Sequence, residues 1–148
     1  MLDIPNTWQD IISAYWEDDT TRYGVLMYTS SDLEQFFDYA EPGSAIYLTD
    51  QVGHIGTITD WSDAWRNHLS EDCSYIERAD YANNYWSGIL DYYTGCGSRN
   101  NFLYLITLES LTYPGGAYAQ IRFLGEGESD LEILATMLVS LAITGDIP

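Results

Sequence analysis

Four segments of the chain have the apolar patterning and the β-branched and aromatic content of β-strands. They are RYGVLMYT at residues 22–29, SAIYLTD at 44–50, FLYLITLESL at 102–111 and AYAQIRF at 117–123. The TYPGG turn between the last two segments predicts a β-hairpin. Residues 54–59 are expected to form a further strand that pairs with 44–50 across a short turn.

Other segments place apolar residues at helical spacing. Asn6 is a candidate N-cap for a short first helix. The apolar face of that helix would comprise Trp8, Ile11, Ile12 and Tyr15. Ser31 and Glu34 have the spacing of a capping box, which predicts a second helix that ends before Pro42.

A third helix is predicted within DWSDAWRNHLSED, residues 60–72, from the spacing of its two tryptophans and Leu69. The last helix, from Asp130 to about Ile143, is apolar on nearly all sides, so we expect it at the centre of the core. Residues 75–95 are harder to assign. Their apolar residues fit a helical stripe, and the alternative is a loop with a shorter helix near 84–94.

These elements predict an α+β fold, in which an antiparallel sheet of four or five strands packs against helices. No linker rich in Pro, Gly or Ser divides the chain, so we expect one compact domain over residues 1–148. A chain of this length buries roughly two thirds of the surface that its unfolded form exposes. It therefore needs neither a metal nor a disulfide to fold.

The charge balance changes this picture of an ordinary domain. The chain has 23 acidic residues against five basic ones, all of them arginine, and its formal net charge is −18. Self-repulsion at this charge destabilises the compact state. Three explanations compete: solubility, including adaptation to high salt; cation binding; and a protein partner with a strongly basic face.

We favour the basic partner. Strongly basic faces belong most often to proteins that neutralise the phosphates of DNA or RNA. Nucleic acid and anionic membranes repel a chain of this charge, so neither is expected to bind directly, whereas a basic protein attracts it.

We find no motif for catalysis or for metal binding. His54, His68 and Cys96 lie in unrelated contexts, and the cysteines and histidines lack zinc spacing. GEGES at 125–129 precedes a helix as a phosphate loop does, but it lacks the lysine and carries two glutamates. We therefore expect a protein that is not an enzyme and has no cofactor.

Two cysteines, Cys73 and Cys96, are too few for a disulfide scaffold, and we expect both thiols to be reduced. The first residues lack the basic and apolar regions of a secretory signal. No apolar run approaches the roughly 20 residues that span a bilayer. The sequence thus favours a cytoplasmic protein.

The candidate recognition surface is rich in tyrosine and carboxylate groups. DYANNYWSGILDYY at 80–93 cannot bury all of its rings from one helix, and tyrosines make good interface anchors. From this segment we expect Asp80, Tyr81, Tyr85, Asp91 and Tyr92 to be exposed for partner binding. Further acidic residues that extend the predicted surface are Asp60, Asp63, Glu71, Asp72, Glu17, Asp18 and Asp19.

ITDWSDAWRNHLSE, residues 58–71, resembles a segment of some immunity proteins of bacterial contact-dependent inhibition systems. That resemblance implies a small cytoplasmic protein that binds and blocks a toxin, commonly a nuclease. The charge excess is similar, at the level of class, to that of small acidic phage and plasmid proteins that mimic DNA, including anti-restriction and some anti-CRISPR proteins.

The leading hypothesis is a non-enzymatic inhibitor that occludes the basic nucleic-acid-binding surface of a protein partner, as an anti-defence protein of the DNA-mimic type does. One alternative is an immunity protein that neutralises a toxin nuclease. Another is an acidic accessory or structural domain without inhibitory role. Self-association into a homo-oligomer stays open.

Overall fold

The computed structural model describes residues 2–143 and 147, and within them it contains one seven-stranded antiparallel sheet and four helices. The strands are β1 (Asp10–Glu17), β2 (Arg22–Ser30), β3 (Gly43–Thr49), β4 (Ser74–Ala82), β5 (Trp86–Cys96), β6 (Asn101–Ser110) and β7 (Tyr118–Gly125). The helices are α1 (Leu33–Phe37), α2 (Val52–Ile55), α3 (Ile58–Leu69) and α4 (Glu128–Ser140). The strands lie in the order β1-β2-β3-β7-β6-β5-β4.

The predicted α+β class with a single antiparallel sheet is confirmed. The four strands expected from patterning correspond to β2, β3, β6 and β7, and the β6–β7 hairpin forms as predicted. The expected number of four or five strands is wrong, because two further segments, 10–17 and 74–96, also join the sheet.

The first of these segments forms the edge strand β1 instead of the predicted helix. Asn6 lies in a turn closed by the Trp8 N–H and the Pro5 carbonyl, so it does not cap a helix. β1 pairs with β2 along its full length. Ile11 and Ile12 then point to opposite faces and stay 46% and 48% exposed, so the apolar stripe that suggested a helix is split across the sheet.

The second segment folds into the β4–β5 hairpin, so both the predicted helix over 75–95 and the alternative helix near 84–94 are wrong. The side-chain oxygen of Asn83 closes the turn by accepting the backbone N–H groups of Tyr85 and Trp86, each at 2.8 Å. A bulge at Ile76 shifts the register of β4, and this irregularity hides the strand alternation in the sequence.

Two smaller assignments also differ. Residues 54–59 do not form a strand: α2 ends at Ile55, and Thr57 begins α3 through a capping box with Asp60. The N-cap of α1 is Asp32, not Ser31, and its side chain accepts the Gln35 N–H at 3.2 Å.

The sheet buries both of its faces. One face packs against α4 and the segment before β1, and its largest buried rings belong to Trp8, Trp86 and Phe123. The other face packs against α1 and α3. The last helix forms, over Glu128–Ser140, but its expected position at the centre of the core is wrong. Its Val139 is 78% exposed, so α4 covers one side of the sheet.

Cys73, just after α3, and Cys96, at the end of β5, form a disulfide. The expectation of reduced thiols is therefore wrong. The bond was missed because the α3–β4 connection and the end of β5 meet only through the β4–β5 pairing. Disulfides persist in oxidising compartments and are rare in the cytosol, which weighs against the cytoplasmic prediction.

Candidate functional site

The antiparallel topology gives the sheet two ends. At the upper end β1 leads to β2 and β6 leads to β7, and α3 begins there. At the lower end β2 leads through α1 to β3, β5 leads to β6, and β7 leads to α4. Since α3 runs back along the sheet, its last residues and the start of β4 also lie at the lower end.

The twelve predicted partner-binding residues do not form one surface. The upper end carries Glu17, Asp18, Asp19, Asp60 and Tyr85. The β4–β5 hairpin and the adjacent side of α3 carry Asp63, Asp80, Tyr81, Asp91 and Tyr92. The lower end carries Glu71 and Asp72.

Asp91 is fully buried, so the prediction that it is exposed for partner binding is wrong. Its carboxylate accepts hydrogen bonds from Ser62 Oγ at 2.6 Å and from Arg78 Nε and Nη2 at 2.7 and 2.9 Å. Arg78 faces Asp91 directly across the β4–β5 pair. Burial alone would raise the pKa of Asp91, but the hydrogen bonds and the arginine charges outweigh it and hold that pKa below its usual value.

Asp63 belongs to the same network. Its carboxylate lies 2.6 Å from Arg78 Nη2 and 3.7 Å from Arg66 Nη2. The hydrogen bond to Asp91, and secondarily that to Asp63, raises the pKa of Arg78. The network ties α3 to the β4–β5 hairpin, which gives Asp63 and Asp91 a role in folding.

Three of the four predicted carboxylates at the upper end are exposed but locally engaged. Asp18 accepts the Tyr23 hydroxyl at 2.7 Å and the backbone N–H groups of Thr20 and Thr21, and these bonds lower the pKa of Asp18. Glu17 pairs with Arg22 at 3.2 Å. Asp60 completes the capping box of α3. These side chains shape turns and helix ends.

The predicted aromatic anchors are also only partly available. Tyr85 is 53% exposed beside the β4–β5 turn. Tyr81 and Tyr92 are half-buried on the α4 face, where the Tyr81 hydroxyl accepts from Asn83 and the Tyr92 ring packs on Tyr104 with centroids 4.9 Å apart. Asp80 is exposed on the edge strand β4, where a charge blocks pairing with another sheet.

The lower end carries a concentration of acidic residues that sequence reasoning mostly missed. Its loops, the short helix α1 and the first residue of α4 bear eight carboxylates, which belong to Asp32, Glu34, Asp38, Glu41, Glu71, Asp72, Glu126 and Glu128. We call this set the acidic end. Its loops contain one basic residue, Arg99, whose guanidinium lies 3.6 Å from Glu41 and 3.7 Å from Glu126.

Backbone contacts hold the loops of the acidic end together. The Gly97 N–H donates to the Asp72 carbonyl at 3.2 Å, which joins the β5–β6 turn to the end of α3. Arg99 Nη1 donates to the Ala40 carbonyl at 3.0 Å, which joins the same turn to the segment after α1. The β5–β6 turn, which has no carboxylate of its own, thus links the acidic segment after α1 to the acidic segment after α3.

The number of these charges over the width of the sheet is comparable to the number of phosphates on a DNA strand of the same length. Seven strands have six gaps of about 4.8 Å, so the lower end is roughly 29 Å wide. A DNA strand carries one phosphate per about 3.4 Å, or between eight and nine over that length. Eight carboxylates on the acidic end supply a similar linear charge.

Within residues 2–143 and 147, no helix is long and apolar enough to cross a membrane. In the same part of the chain, no three His, Cys, Asp or Glu side chains come close enough together to hold a metal ion. No protein family matches this chain, and comparisons with curated proteins and with solved structures likewise find no match. The fold and surface therefore define an acidic α+β protein.

Proposed function

We propose that this protein is a non-enzymatic inhibitor that binds the basic nucleic-acid-binding surface of a protein partner, such as a nuclease or a defence complex. The acidic end is the contact surface in this proposal. The observation that carries it is the presence of eight carboxylates and one arginine along one end of the sheet.

Three carboxylates of the acidic end are free of local contacts. The carboxylates of Asp38, Glu71 and Asp72 are exposed, and the described residues offer them no side-chain hydrogen bond or ion pair. Arginine and lysine side chains of a partner can therefore approach without displacing an existing contact. Binding there replaces water and counterions and does not break the folded structure.

The charge also predicts how the partner is found. A surface of one sign attracts an oppositely charged protein and speeds encounter, and salt weakens this effect because the screening length falls to about 8 Å at physiological ionic strength. The exposed ring of Tyr85 lies at the opposite end of the sheet, so the lifetime of the complex depends on hydrogen-bonded ion pairs at the acidic end.

A pair of matched triple variants tests the proposal. Asp38→Asn/Glu71→Gln/Asp72→Asn removes three charges from the acidic end. The control removes three exposed charges elsewhere: Asp19→Asn/Asp80→Asn/Glu109→Gln. Both variants have the same net charge, so any difference reports where the charges lie.

The partner is first captured from a host lysate at low salt and eluted at high salt, and association rates are then measured across a salt series. We expect the acidic-end variant to associate roughly tenfold more slowly than the wild type at low salt, and the control to change much less. The wild-type rate should fall steeply with salt, and duplex DNA should compete for the captured partner. Equal slowing by the two variants would place binding elsewhere, and a rate indifferent to salt would remove the electrostatic basis.

A further inference from the structure

Arg122 occupies an unusual position for a charged residue. It lies on β7, the central strand, between Ala45 of β3 and Leu105 of β6. It points to the face that α1 and α3 cover. Because α1 packs on β2 and β3 while α3 packs on β5 and β6, the side chain of Arg122 lies in the gap between the two helices.

The guanidinium of Arg122 has no polar partner in the part of the chain that the structure describes. The other four arginines each have a carboxylate oxygen within 4.0 Å. Arg122 has neither an ion pair nor a side-chain hydrogen bond among residues 2–143 and 147, although the chain has 23 acidic residues. The guanidinium lies over the ring of Trp65, whose centroid is 4.8 Å from Arg122 Cζ.

A cavity of about 150 Å³ adjoins this guanidinium. Phe36, Leu103 and Leu124 line it together with Tyr39 and His68, and most of the surface that it exposes is polar. A water molecule takes up about 30 Å³ in the liquid, so the space suits a group of a few non-hydrogen atoms.

The chemistry of the cavity favours a carboxylate. A guanidinium offers parallel N–H donors that match the two oxygens of a carboxylate. Burial raises the pKa of Tyr39, against the opposing charge of Arg122, so its hydroxyl stays a neutral donor. The net charge of −18 repels a dianion more strongly than a monoanion, which disfavours phosphate.

We propose that the cavity between α1 and α3 is a binding site for a monoanionic carboxylate, which Arg122 holds through its unpaired guanidinium beside the ring of Trp65. The carboxylate can come from a small free acid or from the C-terminus of a peptide. This site borders the acidic end, since Tyr39 lies between Asp38 and Glu41 and the charges of Glu71 and Asp72 act on it, but it binds an anion and does not depend on the function proposed for the acidic end.

The test is a titration of the intact protein with sodium butyrate at constant ionic strength, followed by NMR. The N–H cross-peak of Arg122 Nε is assigned by its absence from the spectrum of Arg122→Gln. We expect that cross-peak to shift in a saturable way with butyrate, and tryptophan fluorescence to change at the same concentrations. Arg122→Gln should weaken binding at least about tenfold, as expected for loss of a charge-assisted pair. Arg22→Gln, which removes an exposed arginine at the upper end, should leave it unchanged.

Three comparisons show which chemical group of the ligand is recognised and whether the carboxylate comes from a small acid or from a protein terminus. Butanol has the same stem without the charge, and inorganic phosphate has the charge without the stem; both should bind at least about tenfold more weakly than butyrate. A short peptide with a free C-terminus is compared with its C-terminal amide. Tighter binding of the free peptide than of butyrate assigns a protein terminus as the natural ligand, and the reverse assigns a small acid.

Binding of butanol or phosphate equal to that of butyrate would overturn the assignment, as would a wild-type Arg122 cross-peak that stays fixed through the titration. The cross-peak is measured on the wild type, so this result does not depend on whether Arg122→Gln folds.

Discussion

The burial of Asp91 leads to a sharp prediction for Asp91→Asn. The variant keeps the shape of the side chain but removes its negative charge beside Arg78. Breaking a buried pair by removing one partner costs about 3 to 5 kcal/mol. Arg78 is 25% exposed and keeps Asp63 at 2.6 Å, so its charge is not left wholly unpaired. We therefore expect a loss at the lower limit, about 3 kcal/mol in the free energy of unfolding.

The assay is urea unfolding followed by tryptophan fluorescence, with thermal unfolding alongside. A loss of about 3 kcal/mol corresponds to a fall of roughly 6 to 12 °C in melting temperature for a domain of about this size. Asp80→Asn is the matched control, since Asp80 lies on the same hairpin but is exposed. It should change stability by less than about 0.5 kcal/mol.

The reasoning fails if Asp91→Asn unfolds within about 0.5 kcal/mol of the wild type. It also fails if Asp80→Asn is equally destabilising, because the loss would then reflect the net charge and not the network. A double-mutant cycle with Arg78→Met provides a further check: the coupling energy between positions 78 and 91 should exceed about 1 kcal/mol.

Three other outcomes are expected. The pKa of Asp91 in the folded protein lies below its unfolded value of about 3.9. The stabilisation that the Asp91 carboxylate gives is therefore present above about pH 3.9 and is lost as the pH falls through the folded pKa. The difference in unfolding free energy between wild type and Asp91→Asn, measured by urea titration, should shrink over that range. The free energy of unfolding of Cys73→Ser/Cys96→Ser should fall by about 3 kcal/mol, because the disulfide spans 23 residues. Reduction of the wild type with dithiothreitol should lower its melting temperature similarly. An unchanged melting temperature would show that the disulfide does not stabilise the fold. Gly88→Ala places a methyl group 2.0 Å from a backbone oxygen of β6, so we expect it to destabilise the fold by about 1 to 3 kcal/mol. The methyl group of Gly53→Ala meets nothing within 4 Å, so that variant should be neutral. Equal melting temperatures of the two variants in calorimetry would refute the expected clash at Gly88.

The strands that patterning predicted share a physical property. β6 and β7 lie inside the sheet and are largely buried on both faces, so each is a nearly continuous apolar run bounded by turn residues, and the pattern and the structure agree. In β4 the bulge at Ile76 breaks the alternation, and the signal that would have identified the hairpin was the pair of asparagines at positions 83 and 84. In β1 the edge position leaves both faces half exposed, which removes the contrast on which patterning depends.

The candidate surface was harder to predict because it depends on contacts between distant segments. Asp91 is 13 residues from Arg78 and 29 from Ser62, and only the strand register and the placement of α3 bring the three together. The acidic end needs the strand order as well, since β7 must lie between β3 and β6 before residues 126–128 come near the loop after α1. Local sequence holds none of this information.

The exposed edge of β1 links the charge of the protein to its colloidal behaviour. A long edge strand with half-exposed Ile11, Ile12 and Tyr15 invites other chains to add to the sheet. Mutual repulsion of molecules with a net charge of −18 opposes that encounter. The protein therefore stays dispersed in solution only while its carboxyl groups are ionised. Concentrated salt or mild acid removes the charge repulsion that keeps the sheets of neighbouring molecules apart.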